Sequence, residues 1–197
     1  MHGWLKTISD PRFASWIGMV APFYTIFSIV VSIALSPWFS WTHNALSDLG
    51  VSPVAPIFNS GLIVGGILSS LFSIALARAE RQSLLCLVGS IILLLASLFL
   101  ACIGIFPESS GRLHFHVSVA FFVLLLIASI TLGIGFMLRE GTKLLGFLSL
   151  SVGILGILSW TAIRFPGVAI PEALSAFPAA ILLFVLGLRL RRLRDSG

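Results

Sequence analysis

The residues of this chain that could do chemistry are few and grouped. The segment "WTHNALSDLG" (41–50) holds His43, Asn44, Ser47 and Asp48. The segment "IFPESSGRLHFH" (105–116) holds Glu108, Arg112, His114 and His116, and "RFPGVAIPEAL" (164–174) holds Arg164 and Glu172. On a helical turn Asn44, Ser47 and Asp48 fall at i, i+3 and i+4, which is one face. A turn stopped by Gly50, with Pro53 just beyond, would present them together. Such a face can bind a polar ligand, and Ser47 or Asp48 can equally cap a helix end.

The other groups extend the same chemistry. Glu108 and Glu172 each stand near an expected helix start, where the helix dipole favours a carboxylate. Glu172 has apolar neighbours in sequence, so at the bilayer boundary it needs a partner: Arg112, Arg164, a histidine or a polar amide. Asn59 lies deeper in an apolar run and is expected to hydrogen-bond another element. His114 and His116 invite a metal reading, but residues two apart on a helix point about 200° apart, and zinc wants three or four ligands. No metal is assigned, and no motif names a cofactor. Cys86 and Cys102 share one apolar run and cannot pair within a monomer.

These groups need elements to hold them, and composition says which. Of 197 residues 58% are hydrophobic and 10% are charged, against about 25% charged in soluble domains. A membrane-spanning helix needs roughly 20 apolar residues. Six stretches qualify, at 16–35, 54–77, 84–105, 116–138, 144–163 and 168–188. The reading is an all-α polytopic membrane protein, one transmembrane domain over residues 1–197, with six helices in a bundle. Continuous apolar runs exclude a transmembrane β-barrel, whose strands alternate. Lys6, Arg12, Arg78, Arg81, Arg139, Lys143, Arg189, Arg191, Arg192 and Arg194 all fall on one side of such a bundle. The positive-inside rule places both termini in the cytoplasm and the polar segments outside, in a multi-pass protein of the cell membrane. The net charge of +5 therefore reflects topology, and nucleic acid is not an expected partner. Glycines at small-xxx-small spacing, Gly61 with Gly65 and Gly153 with Gly156, mark helix-packing faces that could also serve a homo-oligomer.

The segments "NALSDLGVSPVAPIFNSGLIVGGIL", "GIFPESSGRLHFHVSVAFF" and "GVAIPEALSAFPAAILLFVLGL" resemble an uncharacterised prokaryotic family of six-span membrane proteins filed as domain of unknown function 998. The resemblance implies the six-span fold and supplies no activity. More remotely, the Ser-Asp-Leu-Gly segment is similar to that of the Frag1/DRAM/Sfk1 family, whose members are linked to lipid remodelling and asymmetry. A looser similarity to the zinc lipid hydrolases of the alkaline ceramidase group is broken by the lack of their His-x-x-x-His pair. The expected function is a polar pocket at the outer face that binds a lipid headgroup or small polar ligand, for lipid handling, sensing or transport. Its expected ligand-binding residues are Asn44, Ser47, Asp48, Asn59, Glu108, His114, Arg164 and Glu172, and its expected partners are membrane lipids. The alternative is an intramembrane lipid hydrolase, metal-dependent or not, so enzyme status stays open.

Overall fold

The computed structural model describes residues 11–195. Six long helices make up most of it: α1 (Pro11–Ala34), α2 (Ala55–Ala79), α3 (Leu84–Ile105), α4 (Arg112–Met137), α5 (Lys143–Ala162) and α6 (Ala169–Asp195). Two 3₁₀ turns, η1 (Leu46–Val51) and η2 (Glu108–Ser110), lie in the connections that precede α2 and α4. All six helices are long and apolar enough to cross a membrane. Six helices stand where six spans are expected, with α1 starting five residues earlier, at Pro11, α4 four residues earlier, at Arg112, and α6 running seven residues further, to Asp195. Lys6, one of the cations used for orientation, lies outside the described residues.

Local chemistry sets the helix ends. Ser83 caps α3, its hydroxyl accepting from the Cys86 N–H. Gly111 (φ 58°) and Gly141 (φ 76°) take the left-handed conformation that begins the approaches to α4 and α5, a conformation other residues adopt at a cost. Pro56 falls in the first turn of α2, where its missing N–H breaks no helical bond. Buried serines do not need partners on other helices. Ser32, Ser70, Ser73, Ser90, Ser97, Ser129 and Ser149 each donate to the carbonyl four residues back. This satisfies the hydroxyl inside an apolar bundle.

The helices form a ring in chain order: each packs on the next, and α6 returns to α1. Glycines set the close contacts. A Cβ on Gly66 would sit 2.5 Å from the Ala101 nitrogen and 2.7 Å from the Ser97 carbonyl oxygen, so α2 and α3 touch backbone to backbone. A Cβ on Gly187 would sit 3.0 Å from the Gly18 carbonyl carbon, closing α6 on α1. Gly61 and Gly65 face Ser28 and Thr25 of α1, while Gly153 and Gly156 face Ile130 and Leu126 of α4. The α5–α6 contact is the thinnest in the ring. Outside, Phe23, Phe27, Phe147 and Leu144 are exposed, the pattern of a surface solvated by lipid.

At the end that carries the termini, Glu80 caps α2 and is 2% exposed. Its Oε1 accepts from Arg189 Nε at 3.0 Å, and its Oε2 accepts from Arg139. Arg189 also lies 5.3 Å from the centroid of the Phe136 ring. One carboxylate thus joins α2, α6 and the α4–α5 turn. No local sequence pattern marks Glu80 as buried; its burial comes from the two arginines that the fold brings to it. Breaking a buried ion pair costs about 3–5 kcal/mol. Arg139 is 38% exposed at its side chain, which places the loss here at the lower end or below. Glu80→Gln is expected to lower the melting temperature in detergent markedly, while Glu140→Gln, which removes an exposed partner of Lys143, leaves it unchanged.

Candidate functional site

The polar segments meet at the end of the bundle opposite the termini. The α1–α2 connection runs across this end and is held by the α5–α6 connection. Gly167 N–H donates to the Thr42 carbonyl at 2.9 Å and Ala169 N–H to the Asn44 carbonyl at 2.9 Å. Gly167 has no room for a Cβ, because the backbone of His43 and Asn44 occupies that space. Sequence reading did not single out this glycine, although "FPG" is a turn signal.

Asp48 organises the first connection. Its Oδ2 accepts from Asn44 Nδ2 at 2.6 Å and from the Ala45 N–H at 3.2 Å, and the Ser40 N–H donates back to Asn44 Oδ1 at 2.9 Å. This is half of a capping box; Ala45 has no hydroxyl to complete it. The expected stop at Gly50 is not seen, since η1 runs on through Val51. Gly50 serves a different purpose: Asn59 Nδ2 donates to its carbonyl at 2.9 Å, and a Cβ at Gly50 would sit 2.6 Å from Asn59 Oδ1. Asn59 therefore pins η1 to α2 and does not line a cavity.

Glu172 is in the first turn of α6 and is 7% exposed. Its Oε2 accepts the Leu46 N–H at 2.6 Å, satisfying the orphan donor at the start of η1. The expected arginine partners are elsewhere. Arg112 is exposed, and Arg164, also exposed, reaches the Trp160 carbonyl at 3.5 Å. Among the described residues no ion pair involves Asp48, Glu108 or Glu172. Asp48 has its amide partner, Asn44; Glu172 has one backbone N–H.

His114 and His116 point apart, as an early helix start requires. His116 is exposed, its Nδ1 2.6 Å from the Arg112 carbonyl. His114 is 8% exposed, its Nδ1 2.8 Å from the Phe106 carbonyl. A carbonyl only accepts, so Nδ1 carries a proton and donates to it. Ser118 Oγ lies 3.3 Å from Nε2 of the same ring, a contact that either atom can donate. Ser118 was missed in the sequence, where nothing separates it from the serines that bond their own helix. His43 is exposed, beside Ser40 and Thr42. Among the described residues no group of three or more His, Cys, Asp or Glu is placed to hold a metal ion.

These side chains edge two cavities. The larger, about 670 Å³, lies between α4 and α5 and is closed at one end by Ser47, Glu108, His114, Ser118 and Glu172. Its walls are apolar. Val119, Val123 and Ile157 are 44%, 48% and 41% exposed, so it opens sideways between the helices. The glycine contacts of α5 with α4 stop at Gly156, and the cavity begins at Ile157. The smaller, about 110 Å³, is in the apolar core and shares Ser47, Ser118, Phe122 and Glu172 with the first. Trp160 closes the α5 side, donating from Nε1 to Ser175 Oγ at 3.0 Å and packing 5.2 Å from the Phe122 ring centroid.

Glu108 stands outside the spans, and its pKa is raised from 4.5 to about 7 by desolvation and by a hydrogen bond to, and repulsion from, Asp48. A carboxyl whose folded pKa exceeds its unfolded one binds extra protons in the fold between the two values, so its contribution to stability is lost as pH rises through that window. The wild-type protein is expected to lose melting temperature between pH 5 and about 7.5 more steeply than Glu108→Gln, when both are scanned in the same detergent.

The chain matches the family described as "Protein of unknown function (DUF998)" over residues 19–189. No curated protein and no solved structure matches it, and nothing among these comparisons supports the more remote Frag1/DRAM/Sfk1 likeness. The matched region runs from α1 into α6 and takes in both cavities and every polar group at this end, so the chain belongs to the DUF998 family, as a six-span helical membrane protein.

Proposed function

We propose that the cavity between α4 and α5 binds a membrane lipid or similar amphiphile. The polar group would lie against Ser47, Glu108, His114 and Glu172, with the apolar chain along Val119, Val123 and Ile157. One observation carries this reading: a cavity of about 670 Å³, within the usual range for small-molecule sites, has apolar walls open between two membrane-spanning helices and a polar end formed by the connections. Asn44, Asp48 and Asn59 support that end without lining the cavity, and Arg164 stands apart from it. The clustering of cations at the terminal end supports an orientation with the site outside and the termini in the cytoplasm.

A second reading is hydrolysis of a lipid ester. Ser118 Oγ beside His114 Nε2, with the ring oriented by the Phe106 carbonyl, has the order of nucleophile, base and orienting group when the ring is neutral. Against it, two acidic side chains, Glu108 and Glu172, line the cavity beside Ser118, and negative charge there opposes a developing oxyanion.

Val123→Trp, which fills the cavity mouth, is expected to abolish co-purification of lipid seen by native mass spectrometry, with the fold retained. Intact lipid in wild type supports binding. Cleaved lipid in wild type, with intact ester in Ser118→Ala, would replace binding with hydrolysis. For orientation, a cysteine at the exposed Ser110 is expected to react with an impermeant reagent on intact cells, and one at the exposed Gln82 only after permeabilisation.

A further inference from the structure

We propose that the cavity selects a protonated amine, the ligand's ammonium supplying the cation that buried Glu172 lacks. This rests on the reading of the cavity as an amphiphile site and adds the class of headgroup.

The two buried glutamates of this chain make the comparison. Glu80, 2% exposed, meets two guanidinium groups. Glu172, 7% exposed, meets one backbone N–H, at Oε2, and its side chain borders both cavities. Among the described residues no protein donor is found for its second oxygen and no cation pairs with it. A carboxylate buried in apolar surroundings needs a counter-charge or a proton, and here the open space beside it is where a counter-charge would enter.

The groups facing that space agree. From η2 comes Glu108, backed by Asp48 of η1. From α4 comes His114, whose Nδ1 donates to the Phe106 carbonyl and whose Nε2 is engaged 3.3 Å from Ser118 Oγ. From η1 comes the Ser47 hydroxyl. The nearest cations in sequence, Arg112 and Arg164, are exposed and do not line the cavity. The polar end is thus lined by acidic groups, and among the described residues no Lys or Arg side chain lines it. A phosphate without an attached cation would meet repulsion, a neutral polyol would leave Glu172 without its counter-charge, and an ammonium satisfies both requirements. The apolar walls favour an amine that carries a hydrocarbon chain over a bare inorganic cation.

The test uses the full chain in nanodiscs of a zwitterionic lipid and three probes with one decyl chain: decylammonium, decyl maltoside and decyl phosphate. Decylammonium is expected to raise the melting temperature and to bind at least about tenfold more tightly than decyl phosphate, as expected for opposite against like charge. Glu172→Gln, which keeps an acceptor for the Leu46 N–H, is expected to remove that preference. Glu108→Gln, at an exposed position tolerant of change, is expected to reduce it. If all three probes bind equally, or if both variants keep the full preference, the amine assignment falls while the amphiphile site stands. The same follows if sodium ion alone reproduces the shift. If no probe binds, the amphiphile site itself falls.

Discussion

The hydrogen bond from the Leu46 N–H to Glu172 Oε2 is the contact on which this end of the molecule depends. It spans 126 positions in sequence and ties the connection after the first helix to the first turn of the last. It also fixes a carboxylate at the junction of a core cavity and a lateral one. A backbone N–H at the start of a short 3₁₀ turn has no partner of its own. Satisfying it with a buried glutamate couples backbone geometry to electrostatics, because the group that completes the turn is the group that most needs a charge partner. The backbone bonds of Gly167 and Ala169 to Thr42 and Asn44 hold the two connections in the register this contact requires.

Much of the fold was legible because its signal is long-range in one dimension: some twenty apolar residues in a row leave few alternatives. The gathering of Glu108, His114 and Glu172 was legible for a related reason, since short connections at one end of a compact bundle cannot stay apart. What was not legible depended on which side chain faces which. Asn59 and Arg164 read in the sequence like the other polar residues at this end, but one holds Gly50 and the other lies on the surface. Ser118 reads as one more serine in a helix until His114 is seen four residues before it with its proton turned away. Glu80 reads as one loop charge among several; its burial follows from α6 closing against α1 and bringing Arg189 alongside, and no local pattern encodes that.

The two ends of the bundle treat buried charge differently. At the terminal end, Glu80 between Arg139 and Arg189 is internally neutralised, and the helices there converge on glycines such as Gly146, where a Cβ would sit 2.6 Å from the Met137 nitrogen. At the other end the glycine contacts between α4 and α5 cease, the helices leave a cavity, and the carboxylates have no cationic side chain. One end is closed by its own chemistry, and the other leaves an open space beside its acidic groups.

Ring closure has a consequence for biogenesis. The face of α1 that receives α6 at Gly18 stays unfilled until the last helix has left the ribosome; until then the Leu46 N–H lacks its acceptor Glu172, and Glu80 has Arg139 but not Arg189. During synthesis the first five helices carry an open seam with a half-matched acid at one end and an unmatched backbone donor at the other. A chain stopped short of α6 would present that seam to the membrane, a marked difference from a finished protein for the machinery that inspects nascent membrane proteins.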